Sequence, residues 1–217
     1  MDLVHQTAPT TAARILRAGM RCFAREGFAG ATTRMIAGEA GVTLPVIAYH
    51  FENKDGLHRA CANDIVEGYR RLMLPLMSAA REAVESGALT PVEARGWLDR
   101  ILASLVSAIT ADEEQRLASD FVMREMSEQG PGFALLYDEL WQPGLVLVGD
   151  LVAYARARAP GTEEDRASAL MLVASLSAFT RELPVSLGIL GWKSLTDAHR
   201  RTISAIAARM VNGILAD

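Results

Sequence analysis

Two cysteines among 217 residues are too few for a disulfide framework, so a reducing cytoplasm is the expected setting. Long apolar runs are missing too. The longest, at residues 145–148 and 169–174, fall well short of the about 20 residues that cross a bilayer, and no membrane partner is expected. The opening segment MDLVHQTAPTT has no basic start followed by an apolar stretch, so no signal peptide is expected. Apolar and polar residues never alternate for long, which argues against a sheet. There is no glycine-rich phosphate loop, nucleophile elbow or HExxH motif, and the carboxylates are scattered. These absences exclude an obvious enzyme, and no cofactor is expected.

What is present reads as helix throughout. Half the residues are apolar and 22% are charged, enough for a packed core and too balanced for a disordered chain. Residues 11–26 form one amphipathic helix, with Ile15, Ala18, Gly19, Cys22 and Phe23 inward. Asn53 can cap a long helix over 54–86, which Pro75 should bend or break. Thr90-Pro91-Val92-Glu93 is a capping box with proline in the first turn, opening a helix that ends near Thr110. Asp112 can cap the next, ending near Gln129-Gly130-Pro131. A further helix covers about 132–159, kinked at Pro143; another opens at Thr162 and is closed by Pro184; Thr196 opens the last.

The most specific stretch is TTRMIAGEAGVTLPVIAYHF, residues 32–51. Thr32 can cap a short helix whose apolar face is Met35, Ile36 and Ala40. Gly41 supplies the left-handed residue of a tight turn, and Val42 plugs the space beneath it. Thr43 can cap a second helix with Pro45 in its first turn, Ile47 and Phe51 inward, and Tyr49 and His50 outward. That is a helix-turn-helix, and its outer face offers a phenol and an imidazole able to bond phosphate. The alternative is a plain helical hairpin, but so short a second helix has little core face to justify it. Residues 1–54 carry a net charge of +2, leaving −6 for the remainder of a chain whose total is −4, as suits a DNA-binding head on an acidic body.

From residue 11 to 61 the chain resembles the DNA-binding domain of TetR-type transcriptional regulators. The likeness is carried by ARILRAGMRCFAREGF, the threonines at 32 and 33, IAGEAGV and YHFENKDGL. TLPVIAYHFENKDGLHRAC is closest to the CecR-like branch, and FVMREMSEQGPGFALLYDELWQP resembles that branch's ligand-domain signature. The resemblance implies an all-α chain: a three-helix helix-turn-helix domain over 1–54, then a larger ligand-binding and dimerisation domain over 55–217. It implies that Thr32, Tyr49, His50 and Lys54 hold the phosphate backbone, with Thr33 beside them. Thr43, Leu44, Pro45, Val46 and Ala48 then face base edges. This apolar reading surface suits thymine methyls better than guanine, which makes Arg34 a plausible extra contact or else a solvated surface arginine.

The expected partners are a double-stranded DNA operator, a small apolar or aromatic inducer and a second copy of the chain. Trp97, Phe121, Arg124, Tyr137, Trp141 and Phe179 are the candidate ligand residues, although such side chains at helical spacing also build cores. Leu170, Ala174, Ala178, Ile203, Ile206, Met210 and Ile214 are the candidate dimer interface, the alternative being packing within one subunit. The helix from Lys54 is the only continuous element expected to touch both head and body. The function implied is ligand-released repression, with efflux or drug-tolerance genes as targets. Other readings are a small all-α metal-binding protein, using His58 and Cys61 with Asp55, or a redox sensor using Cys22 and Cys61; no metal is expected.

Overall fold

The computed structural model describes residues 10–109, 113–180 and 182–216, and among these no strand occurs. The expected cap at Asp112 and helix end at Thr110 lie outside the described residues. Three helices form the head: α1 (Thr11–Gly30), α2 (Thr33–Ala40) and α3 (Leu44–Phe51). The body follows as α4 (Lys54–Glu85), α5 (Pro91–Ala108), α6 (Glu113–Glu128) and α7 (Phe133–Leu136), then α8 (Gln142–Ala155), α9 (Glu163–Ala174), α10 (Leu183–Leu190) and α11 (Asp197–Leu215).

The local chemistry explains most boundaries. The side chains of Thr10, Thr32, Asn53, Thr90, Thr162 and Thr196 each accept a backbone N–H from the first turn they cap. Thr90 and Thr196 belong to full capping boxes, the latter closed by His199. Regular helix in α1 ends at Gly27, which has φ 71°, so the helical run stops where the sequence expects it.

Proline acts differently in three elements. α4 runs through Pro75. Pro75 and Arg71 are both exposed, so the carbonyl that loses its donor is on the solvent side. Residues 132–159 are not one helix: α7 passes into a π-helical turn at Tyr137–Trp141 before α8, whose first turn holds Pro143. The π turn accommodates the missing donor one turn ahead of the proline. Pro184 opens α10 rather than closing α9; α9 tightens into a 3₁₀ turn at Ser175–Phe179 first.

Two buried clusters hold the chain. The lower one joins Ile15, Phe23, Ile36 and Ile47 of the head to Leu57, Cys61 and Val66 of α4, and it includes Phe121 of α6 and Leu136 of α7. The upper one packs α4, α5, α8, α9 and α11 around Leu98, Leu147, Leu151, Leu172 and Val211. A buried ionic clamp closes the far end. Arg156 bonds Asp165 at 3.0 Å and donates to the Ile214 carbonyl at 3.0 and 2.6 Å, tying α8, α9 and α11 together. Asp165 is also held by the Thr162 hydroxyl.

A second buried polar group lies at the junction of head and body. His58 and Glu125 are 0% and 2% exposed. Their Nε2 and Oε1 atoms are 3.0 Å apart, an electrostatic contact without the alignment of a formed hydrogen bond. Glu125 Oε2 accepts the Gly132 N–H at 2.8 Å. The imidazole sits among Phe23, Phe28 and Phe121, with ring centroids 4.7, 5.0 and 4.8 Å away.

Candidate nucleic-acid interface and ligand cavity

The turn between α2 and α3 is set by Gly41, whose φ of 63° closes α2 in the left-handed conformation. Arg14 donates to the Ala40 carbonyl at 2.6 Å, fixing α2 against α1. The α3–α4 corner is tighter still. A methyl group at Gly56 would fall 2.1 Å from the Phe51 carbonyl oxygen, so only glycine lets α4 start this close to α3.

On this frame α3 buries Ile47 alone. Leu44, Pro45, Ala48, Tyr49 and His50 are exposed, with Tyr49 at 85% and its ring edge-on to His50 at 5.1 Å. Thr43 occupies the cap position of α3 but makes no side-chain cap bond, which leaves its hydroxyl free on the outer surface. Val46 and Thr33 are half-buried; Thr32 and Arg34 are exposed, although the Thr32 hydroxyl accepts the Met35 N–H at 3.2 Å.

Lys54 departs from the expected role. Its ammonium donates to the carbonyls of Phe28 at 2.9 Å and Ala31 at 3.1 Å and lies 4.3 Å over the Phe28 ring. The acceptors left over at the end of α1 draw it inward, away from the outer face.

The body contains a cavity of about 400 Å³ between α4, α5, α6, α8 and the end of α9. Trp141 is one of its lining residues. The other five candidate ligand residues are not, each for a visible reason. Phe121 is in the lower core, edge-on to Phe23 at 6.3 Å. Arg124 donates to the carbonyls of Ala24 and Arg25, both at 3.1 Å, and pairs with Glu128. Trp97 lies under the Arg100 guanidinium at 3.5 Å, and Tyr137 stacks on Phe133 at the surface. Phe179 stacks on Trp192, their ring centroids 6.3 Å apart.

Tyr69, Met73 and Met77 on α4 line the cavity and escaped the sequence reading. Their spacing of four is the available signal, but Met at that spacing also describes a core.

Arg124 and Phe121 also correct the expectation that α4 alone bridges head and body. α6 lines the cavity with Ala118, Val122 and Met123, and from the next position Arg124 grips the end of α1.

The candidate interface residues divide. Leu170, Ile206 and Met210 are 51%, 42% and 37% exposed, and Ala174 is exposed as well. Ile203 is buried within the subunit, so it cannot face a partner, and Ala178 and Ile214 are half-buried.

Both cysteines are buried: Cys22 donates to Glu39 and Cys61 to the Leu16 carbonyl. Burial pushes the Cys61 thiol up and, reinforced by Glu39, raises Cys22 to about 11. His58 and Cys61 do not assemble with a third metal-binding group among the described residues.

Comparison with known proteins agrees with the head. Residues 15–61 match the family described as bacterial regulatory proteins, tetR family. The dual transcriptional regulator CecR of Shigella flexneri is 25% identical over 130 residues, 60% of this chain and 57% of that protein. The regulatory protein RaaS of Mycobacterium tuberculosis is 41% identical over 61 residues, 28% of each. The chain thus spans little over half, or less, of the curated relatives it matches.

Among solved structures, a TetR-like regulator from Rhodococcus sp. RHA1 superposes with a TM-score of 0.62 at 18% identity, covering 95% of this chain and 100% of that one. The multidrug binding protein EbrR, complexed with malachite green, gives 0.56 at 24%, covering 95% and 98%. At these identities the likeness establishes the fold. The match thus places residues 15–61 with the bacterial regulatory proteins of the tetR family, and the whole chain is similar in fold to TetR-like regulators.

Proposed function

We propose that this protein is a homodimeric, cytoplasmic repressor that leaves its operator when a small apolar or aromatic molecule fills the α4–α9 cavity. The observation that carries the reading is α3, a two-turn helix that fully buries only Ile47 and leaves Leu44, Pro45, Ala48, Tyr49 and His50 exposed. Residues 1–54 are the DNA-binding unit and 55–217 the ligand-binding and dimerisation unit. Thr32, Thr33, Tyr49 and His50 hold phosphates, Thr43, Leu44, Pro45, Val46 and Ala48 meet base edges, and Arg34 supplies a further contact. Lys54 reaches phosphate only if it leaves the α1 carbonyls. Two copies joined across the exposed side of α9 and α11, through Leu170, Ala174, Ile206 and Met210, place two α3 helices about one turn of DNA apart.

The ligand acts by binding better to a state with a different head spacing. Its route is short: α6 touches the cavity with Met123 and the end of α1 with Arg124. The likeness to EbrR, a multidrug binding protein, supports a cavity for aromatic compounds, and efflux or drug-tolerance genes are the proposed targets. The test is selection of duplex fragments by the purified protein, followed by a screen of aromatic compounds for release. A pseudo-palindromic site should emerge, and Trp141→Ala should raise the concentration needed for release while leaving ligand-free affinity unchanged. Failure to enrich any sequence overturns the reading.

A further inference from the structure

Among the described residues the cavity wall contains no carboxylate, histidine, lysine or arginine. Its residues are Met, Leu, Ile, Val, Ala and Gly, with Tyr69, Trp141, Ser119, Ser177 and Thr180 as the polar members. None of the described acids on the surrounding helices is a lining residue. Glu139 pairs with Arg70 at 2.6 Å on the outer surface, and neither Asp120 on α6 nor Asp150 on α8 is part of the wall. A cation or carboxylate entering this space would leave water without a counter-charge, against only two aromatic faces and a few hydroxyl dipoles.

One polar group stands apart. The Tyr69 hydroxyl has no hydrogen-bond partner among the described residues, and α8 approaches it at Gly144, where a methyl group would lie 3.6 Å from the oxygen. Met77 flanks the same spot, its Cε 3.8 Å from that methyl position. The hydroxyl therefore meets a gap left by the absence of a side chain, beside a polarizable thioether.

We infer that the cavity selects its ligand by charge: it takes uncharged, largely apolar molecules bearing one hydroxyl or carbonyl group, which Tyr69 hydrogen-bonds, and it rejects organic cations and carboxylates. This rests on the proposed use of the cavity as the ligand site and names the chemical class it admits. Tyr69 is the specificity-determining residue, and the uncharged wall is the filter.

Three probes of one shape separate the possibilities: 1-naphthylmethanol, 1-naphthylmethylammonium and 1-naphthoate, titrated by fluorescence into the full-length protein. The alcohol should bind at least about tenfold more tightly than either ion, the ratio expected if an unpaired charge loses even a small part of its hydration. Tyr69→Phe should weaken the alcohol about three- to tenfold while leaving 1-methylnaphthalene unchanged, as loss of one hydrogen bond predicts. Met77→Glu should reverse the order in favour of the ammonium.

Val148→Trp and Gly144→Leu, checked for folding by circular dichroism, fill the space and should abolish binding of the alcohol. If either folded variant binds the alcohol as the parent does, the site is elsewhere, and the functional reading of the cavity falls with the inference. If the filled variants lose binding but the parent takes the ammonium or naphthoate as tightly as the alcohol, the cavity is the site and the charge filter is refuted. Absence of any binding by the alcohol refutes it as well.

Discussion

Replacing Glu125 by alanine should be among the most damaging single changes outside the apolar core. Glu125 is 2% exposed and serves two groups: the Gly132 N–H at 2.8 Å and the His58 ring at 3.0 Å. Alanine removes both oxygens, orphaning the buried Gly132 N–H and taking away the electrostatic contact to His58. An orphaned buried donor costs roughly 1–3 kcal/mol, so the loss is about 2 kcal/mol. For a protein of this size each kcal/mol moves the melting midpoint by about 2–4 °C, so the midpoint should fall by about 4–8 °C. Glu125→Gln keeps an oxygen for the Gly132 N–H and an amide toward the ring, so it should lose less than half as much. Thermal melts followed by circular dichroism, with urea titrations for the free energies, decide the matter. A Glu125→Ala variant within about 1 kcal/mol of the parent, or a Gln variant as weak as the Ala variant, would refute the reasoning.

Tyr49→Phe should weaken binding by a similar factor on operators of different sequence, because the hydroxyl meets phosphate; a mobility-shift series in which only one sequence suffers removes that role. Leu170→Arg and Ile206→Arg, at exposed positions on α9 and α11, should give folded monomers that bind a full operator poorly. Light scattering that still reports dimers for both moves the interface elsewhere. Cys22, its thiol raised from 9.0 to about 11 first by burial and then by Glu39, is protonated below that pH. At pH 8 its thiolate fraction is about a hundredfold below that of an ordinary thiol, and it grows only as pH rises toward 11. Native-state alkylation should therefore be slow and peroxide should leave DNA binding unchanged; fast labelling at pH 8 would revive a redox role.

Most helix starts and the reading head could be had from residue order alone, because their causes are local. Thr90 and Glu93 form a capping box whatever lies nearby, and Gly41 takes a left-handed turn by its own freedom. The period of Ile36, Ala40 and Ile47 says which side of two short helices must be covered, hence which side is left exposed. Helix ends at proline were less legible. Pro75, Pro143 and Pro184 each act according to which neighbours can absorb a missing donor, and that is a tertiary matter.

The cavity-lining residues were not legible, since an aromatic at helical spacing looks the same whether it fills a core or borders a void. Tertiary packing sent Phe121 into the head's core, Arg124 to the carbonyls of α1 and Tyr137 to the surface, and left Trp141 beside the space that Tyr69, Met73 and Met77 enclose. Lys54 was drawn in the same way from a surface role to the end of α1. The sequence by itself determined most helix starts, their caps and the exposed face of α3, because each depends on contacts within a turn or two. The cavity, the α6 bridge and the His58–Glu125 junction join residues far apart in the chain, so only the folded structure decided them.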